Sequence, residues 1–190
     1  GVRDDAEVVM TKPGPEVFGT GPKAPYQERI EEIWAERDIT FVPEFTVSEV
    51  DYENQTVHAE EGDTLEYDLY APVPPQYGQE FVVENSPLTD GGEYISVDDN
   101  TLQHEAYPNV FALGDNADVP TSRTASAARK QSHVVVDNVE RYLEDRPLAP
   151  DYDGYTACPI LVEKGKAMIA EFDYEDSISA PVVSRLNWIL

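Results

Sequence analysis

The stretch "PNVFALGDNADVPTSRTASAA", Pro108 to Ala128, decides how this chain is read. Its apolar run ends abruptly at Gly114-Asp115, and a polar loop then leads into small residues with a helical pattern. "NVFALGD" reads as a buried strand delivering its last residues to the edge of an α/β sheet. A carboxylate at the carboxyl end of such a strand points into the crevice where α/β folds bind ligands. Glycine before it lets the backbone approach a ligand closely. An ionised aspartate only accepts hydrogen bonds, so Asp115 suits hydroxyl or N–H partners. Thr121, Ser122 and Thr124 are capping types for the helix that follows, whose N-terminus carries partial positive charge. Together these residues offer an acceptor for sugar-like hydroxyls beside a dipole suited to an electron-rich ring. A simple loop cap is the alternative role for Asp115 on the same residues.

Downstream, residues 124–143 form the longest helical pattern, with Val135, Val139 and Leu143 on its apolar face. "EDRPLAPDYDGYT" has linker composition. "ACPILVEKGKAMIAEFDYE" reads as a β-hairpin turning at Lys164-Gly165-Lys166, and "APVVSRLNWIL" is an apolar tail. Upstream, "AEVVM" is strand-like. "APYQERIEEIWAERD" places Tyr26, Ile30, Ile33 and Trp34 on one helical face, with Pro25 in the first turn. "ITFVPEFTVSEVDY" is strand-like again, so the opening reads β-α-β with a parallel pair. From Phe45 to Leu69, short β-rich runs separated by "EN" and "EGD" read as an antiparallel meander. "YDLYAPVPP" reads as a buried strand halted by prolines, and "GGEYISVD" as a short hairpin within an otherwise loop-rich segment, 76–107. "GTGPKA", Gly19 to Ala24, matches a dinucleotide fingerprint in letters only. The preceding strand ends near Met10, so no immediate strand-to-helix turn exists, and the segment reads as a Gly/Pro loop.

The chain has 190 residues, 38 of them Asp or Glu against 13 Lys or Arg, a net charge of −25. A nucleic-acid partner is excluded in practice, because phosphate binding needs a basic footprint. The acids are spread along the chain rather than gathered in a tail. That pattern fits a protein adapted to strong salt, where the Debye length falls to about 3 Å and self-repulsion is screened. An acidic surface for a basic partner is the other reading. A single cysteine permits no internal disulfide. No signal-peptide pattern and no membrane-spanning apolar run are present, so a soluble or peripheral cytoplasmic protein is the default.

Two longer segments carry a more specific signal: "NTLQHEAYPNVFALGDNADVPTSRTASAARKQS" and "YDGYTACPILVEKGKAMIAEFDY". The Gly-Asp motif resembles the second flavin-binding motif of flavoproteins with two dinucleotide-binding domains. The "PTSRTA" and "YDGYT-C-P" segments resemble, more narrowly, the sulfide:quinone oxidoreductases, over roughly Ala6 to Glu175. The resemblance implies an α/β fold: a partial Rossmann-like FAD/NAD(P)-binding domain with an inserted meander, residues 1–107; the closing part of an FAD domain, 108–150; and a C-terminal hairpin with the start of a membrane- and quinone-facing region, 151–190.

The same resemblance implies FAD as cofactor, with Asp115, after Gly114, at the ribityl chain and Thr121, Ser122, Arg123 and Thr124 along the flavin. It makes Cys158 one of two redox cysteines. In such enzymes one cysteine holds sulfur as a persulfide, the other passes electrons to FAD, and quinone takes them up. That chemistry requires a thiolate, whose pKa a neighbouring positive charge would lower. No metal site is expected. Sulfide, quinone and the cytoplasmic face of a membrane are the implied partners, with a homo-oligomer left open. Two departures stand out: no second cysteine is present, and no Gly-rich ADP-binding fingerprint. The chain is therefore expected to be a carboxyl-terminal fragment that is inactive alone and binds FAD weakly or not at all. Asn116 stands where relatives often have Cys. A type II NADH:quinone dehydrogenase and a non-catalytic acidic interaction module are the alternatives.

Overall fold

A computed structural model describes residues 5–189, which fall into two compact units dividing at Pro74/Pro75. In the first, strand β1 (Val8–Thr11) lies parallel to β2 (Ile39–Val42), in register Val8 opposite Ile39. The crossover between them is helix α1 (Ala24–Ala35). Its spacing dictates its packing: Tyr26, Ile30 and Ile33 are buried, Trp34 is half-buried against Phe41, and Pro25 sits at the start, where its missing N–H costs nothing. The expected β-α-β opening is present. The meander follows as β3 (Val47–Asp51), β4 (Thr56–Ala59) and β5 (Thr64–Glu66), antiparallel in that order. Asp51 accepts from the amides of Glu53 and Asn54 and so closes the first turn. Phe45, Val57 and Ala59 form the core of this sheet. "GTGPKA" is a loop with a short 3-10 turn at Gly21–Lys23.

The second unit contains α2 (Glu80–Val83), β6 (Ile95–Ser96), β7 (Ala117–Asp118), α3 (Ala125–Leu143), β8 (Thr156–Glu163), β9 (Lys166–Phe172) and α4 (Leu186–Ile189). β6 and β7 form a short parallel pair, and β8–β9 is the expected hairpin, with its turn at Lys164-Gly165. Gly165 has φ +80°, the left-handed region that a tight turn demands. The core joins Val97, Leu102, Ala112, Ala117, Val119, Val134 and Tyr152.

Five expectations are corrected. "NVFALGD" is not a regular strand: among the described residues it makes a single bridge, Phe111 to Gln103, before a 3-10 turn at Gly114–Asn116. Of its apolar residues, Ala112 joins a core that also holds Leu102. "YDLYAPVPP" forms no strand, and Leu69 and Val73 are each 87% exposed. Prolines at 72, 74 and 75 remove the donors that a ladder requires. "GGEYISVD" is not a hairpin, because its β-forming residues pair with Ala117–Asp118 and, through Val97, with His104. The inward face of α3 is centred on Ala127, Gln131, Val134 and Asn138; of the expected Val135–Val139–Leu143 stripe, Val135 packs half-buried against the same core, whereas Leu143 is 74% exposed. Polar groups replace apolar ones there because backbone groups of neighbouring loops need partners. "EDRPLAPDYDGYT" is no loose linker, since Tyr152 within it is fully buried and Ala149 is fixed to Asn138.

Candidate functional site

The site is built around the start of α3. Thr124 is its N-cap, with extended backbone and a hydroxyl that accepts from the Ala127 amide at 3.0 Å. Such a cap stabilises a helix by about 1 kcal/mol. The amides of Ala125 and Ser126 have no acceptor among the described residues, so the positive end of the dipole stays available.

Gly114 turns the chain towards this helix at φ +65°, and a Cβ there would lie 3.4 Å from the Ala128 Cβ. Both conformation and close approach favour glycine. Its amide donates to the Gln131 Oε1 at 2.6 Å, from a side chain that is almost wholly buried on the second turn of α3. Asp115 follows in the 3-10 turn, exposed, its carboxylate without a protein partner among the described residues. It does not cap its own loop; it is presented outward as a free acceptor.

The Thr121–Thr124 segment is held from both sides. The Thr121 hydroxyl donates to the Gly154 carbonyl at 2.8 Å. The Thr124 and Thr156 hydroxyls share a hydrogen bond at 2.8 Å, and Thr156 also donates to the Ser122 carbonyl at 3.3 Å. Thr156 is fully buried and begins β8. Arg123 donates to the Ala117 carbonyl, lies 3.6 Å from Asp118, and stacks on the Tyr94 ring with 3.5 Å from Cζ to the centroid. Such stacking of a guanidinium on an aromatic face contributes about 0.5–1 kcal/mol near a surface. Its charge is thereby occupied in bracing the loop.

Cys158 stands two residues beyond Thr156 on β8, opposite Ala170, half-buried. Burial alone pushes its thiol pKa up, and no cation among the described residues counters this. Burial therefore favours the neutral thiol in the reduced side chain.

Sequence reasoning missed Gln131 and Tyr152. The buried Tyr152 hydroxyl donates to the Tyr155 carbonyl at 3.0 Å and interacts with Gln131 and Thr121, so one polar chain links the Gly114 turn to the approach to β8. Burial is the first cause that raises the Tyr152 pKa. A glutamine four residues from Ala127 on the inward face was the visible signal, although periodicity counts only apolar positions. Tyr155 donates to Glu171 at 2.7 Å, and that bond, with burial, pushes its pKa up to about 12. Among the described residues no group of His, Cys, Asp and Glu could hold a metal, and no helix is long and apolar enough to cross a membrane.

No family model matches the chain. A mitochondrial sulfide:quinone oxidoreductase from Dictyostelium discoideum is 35% identical over 178 residues, 92% of this chain and 38% of that protein. The chain thus spans about two-fifths of the length of that curated relative. Among solved structures, a chain of the Tetrahymena thermophila mitochondrial ATP synthase F1Fo composite tetramer matches at TM-score 0.75 and 28% identity, over 87% of this chain and 40% of that one. The sulfide:quinone oxidoreductase of Aquifex aeolicus matches at TM-score 0.68 and 16% identity, over 98% of this chain and 48% of that one. The expected mixed α/β fold of FAD/NAD(P)-binding oxidoreductases is shared. Sequence similarity runs through 92% of this chain, which is thus homologous to a part of the sulfide:quinone oxidoreductases.

Proposed function

We propose that this chain supplies part of the flavin site and one redox sulfur of an FAD-dependent enzyme that carries electrons from sulfide to quinone. The observation that carries the reading is the Gly114-Asp115 turn, clamped by Gln131 beside the capped start of α3 and tied through Thr124–Thr156 to the strand bearing Cys158. The donor set fits the cofactor. Asp115 offers an unpartnered acceptor to ribityl hydroxyls, and Gly114 lets the backbone come close. The free amides of Ala125 and Ser126 give partial positive charge where a flavin's pyrimidine side gains electron density. FAD, when bound, accepts two electrons from sulfur and yields them to quinone.

Cys158 has a defined share in this chemistry. Hydrosulfide attacks an oxidised sulfur bridge between Cys158 and a second sulfur from outside this chain. One S–S bond forms and one breaks, and the displaced sulfur leaves as a thiolate carrying the electron pair that FAD, where bound, would take up. The thiol of lower pKa leaves faster. Burial disfavours the Cys158 thiolate as a leaving group, which supports the incoming sulfur staying on Cys158 as a persulfide.

Exposed Leu186, Trp188 and Ile189 on α4 support a membrane-facing position for this end. The dispersed charge of −25 supports a salt-adapted protein. The domain reading is retained within this proposal, with residues 108–150 closing an FAD-binding domain. The test is sulfide-dependent quinone reduction by the complete protein. Cys158→Ser abolishes turnover while flavin absorbance persists, and Asp115→Ala lowers flavin occupancy. NADH-driven quinone reduction untouched by Cys158→Ser refutes the proposal in favour of an NADH dehydrogenase; unchanged function in both variants refutes it in favour of a non-catalytic module.

A further inference from the structure

Helix α3 carries its charges in an unfavourable order. Cations favour helix C-termini and anions N-termini. Here Arg129 and Lys130 crowd the first half, and Asp137 and Glu140 lie in the second. Ser126, Arg129, Lys130 and His133 follow the i, i+3, i+4, i+7 spacing that aligns side chains on one face. They line an open cavity of 270 Å³, whose far wall is Tyr155.

The cations of this cavity differ from others in the protein. Arg29, Arg123, Arg141, Arg146 and Lys166 each lie against a carboxylate. The Arg129 guanidinium and the His133 ring have no partner among the described residues, and neither does the Ser126 hydroxyl. Lys130 reaches only Asp153, at 4.0 Å, with both side chains about half exposed, a geometry of little strength. The Tyr155 hydroxyl is already committed to Glu171, so Tyr155 serves as a wall rather than a donor. In a chain of net charge −25, adjacent cations whose one counter-charge among the described residues is the distant Asp153 invite an anion from solution.

We propose that this cavity binds a small oxyanion of the phosphate or sulfate class. Arg129 supplies a planar fork of donors, Lys130 a point charge, and Ser126 a hydroxyl and a free helix-start amide. The field of a strongly acidic protein repels extended polyanions and anionic bilayers, whereas a small anion in salt meets little of that barrier.

The experiment uses the flavin-loaded complete protein, titrated with inorganic phosphate at constant ionic strength and followed by calorimetry and phosphorus NMR line width. Saturable binding at one site is expected, weakened about ten-fold or more by Arg129→Gln and by Lys130→Gln, the equivalent of about 1.4 kcal/mol. Lys164→Gln on the β8–β9 turn leaves it unchanged. Circular dichroism and flavin absorbance verify that each variant is folded and loaded. Absence of saturable binding, or equal weakening by Lys164→Gln, overturns the proposal. Displacement of phosphate by added FAD also overturns it, by assigning the cavity to the flavin site. Sedimentation with phosphatidylglycerol vesicles in the absence of phosphate binding overturns it in favour of a lipid surface.

Discussion

Helices α1 and α3 cover their inner faces by different means. α1 buries Tyr26, Ile30 and Ile33, apolar groups whose contribution scales with area and depends little on geometry. α3 buries Ala127, Gln131, Val134 and Asn138, alternating apolar with polar. The Asn138 Nδ2 donates to the carbonyls of Thr101 and Ala149, each at 2.9 Å, and its Oδ1 accepts from the Ala149 amide at 2.7 Å. Gln131 holds the Gly114 amide. Apolar contact tolerates sliding, whereas buried hydrogen bonds fix direction and distance, and losing one partner strands the other. The polar helix lies where loops must be held in one geometry, beside the candidate flavin turn.

The contrast can be broken by measurement. Asn138→Leu keeps the branched shape but strands two carbonyls and an amide. Thermal melts should show the largest loss, on the order of 3 kcal/mol; a loss no greater than that of an α1 methyl deletion would break the distinction. Gln131→Leu strands the Gly114 amide at a cost of about 1–3 kcal/mol and lowers flavin occupancy. Gln131→Glu, which keeps an acceptor, should recover part of that occupancy. Full flavin content in Gln131→Leu would reduce Gln131 to a packing residue. Ile30→Val on α1 should cost only about 1 kcal/mol and leave flavin content untouched. The smallest effect concerns Cys158. Alkylation of the reduced protein by iodoacetamide needs the thiolate, so the rate should rise with pH to a midpoint above the ordinary thiol value of about 8.5. A midpoint below that value would reveal a cation near Cys158 and reverse the leaving-group assignment.

Much of the local structure was legible in the residues. The α1 face follows from its spacing, the meander from its turn residues, and the β8–β9 hairpin from alternation around Lys164-Gly165. In the candidate site, Thr124 was readable as a cap because capping depends on its own helix alone. Gln131 was not readable, because its partner lies 17 residues away and a polar side chain in a helix resembles a solvated one. "NVFALGD" misled for the opposite reason: apolar composition specifies burial but not the neighbours that make a ladder.

By itself, then, the sequence determined whatever rests on nearest neighbours along the chain: helix period, caps, turns, net charge and the family's motifs. Tertiary structure alone decided which polar groups went inside. It set Asn138 and Gln131 as clamps, left Asp115 unpartnered among the described residues, and half-buried Cys158 where burial alone shifts its pKa. The reason is physical: the free energy of a buried polar or ionisable group is set by partners brought close through folding, and no local pattern encodes their identity.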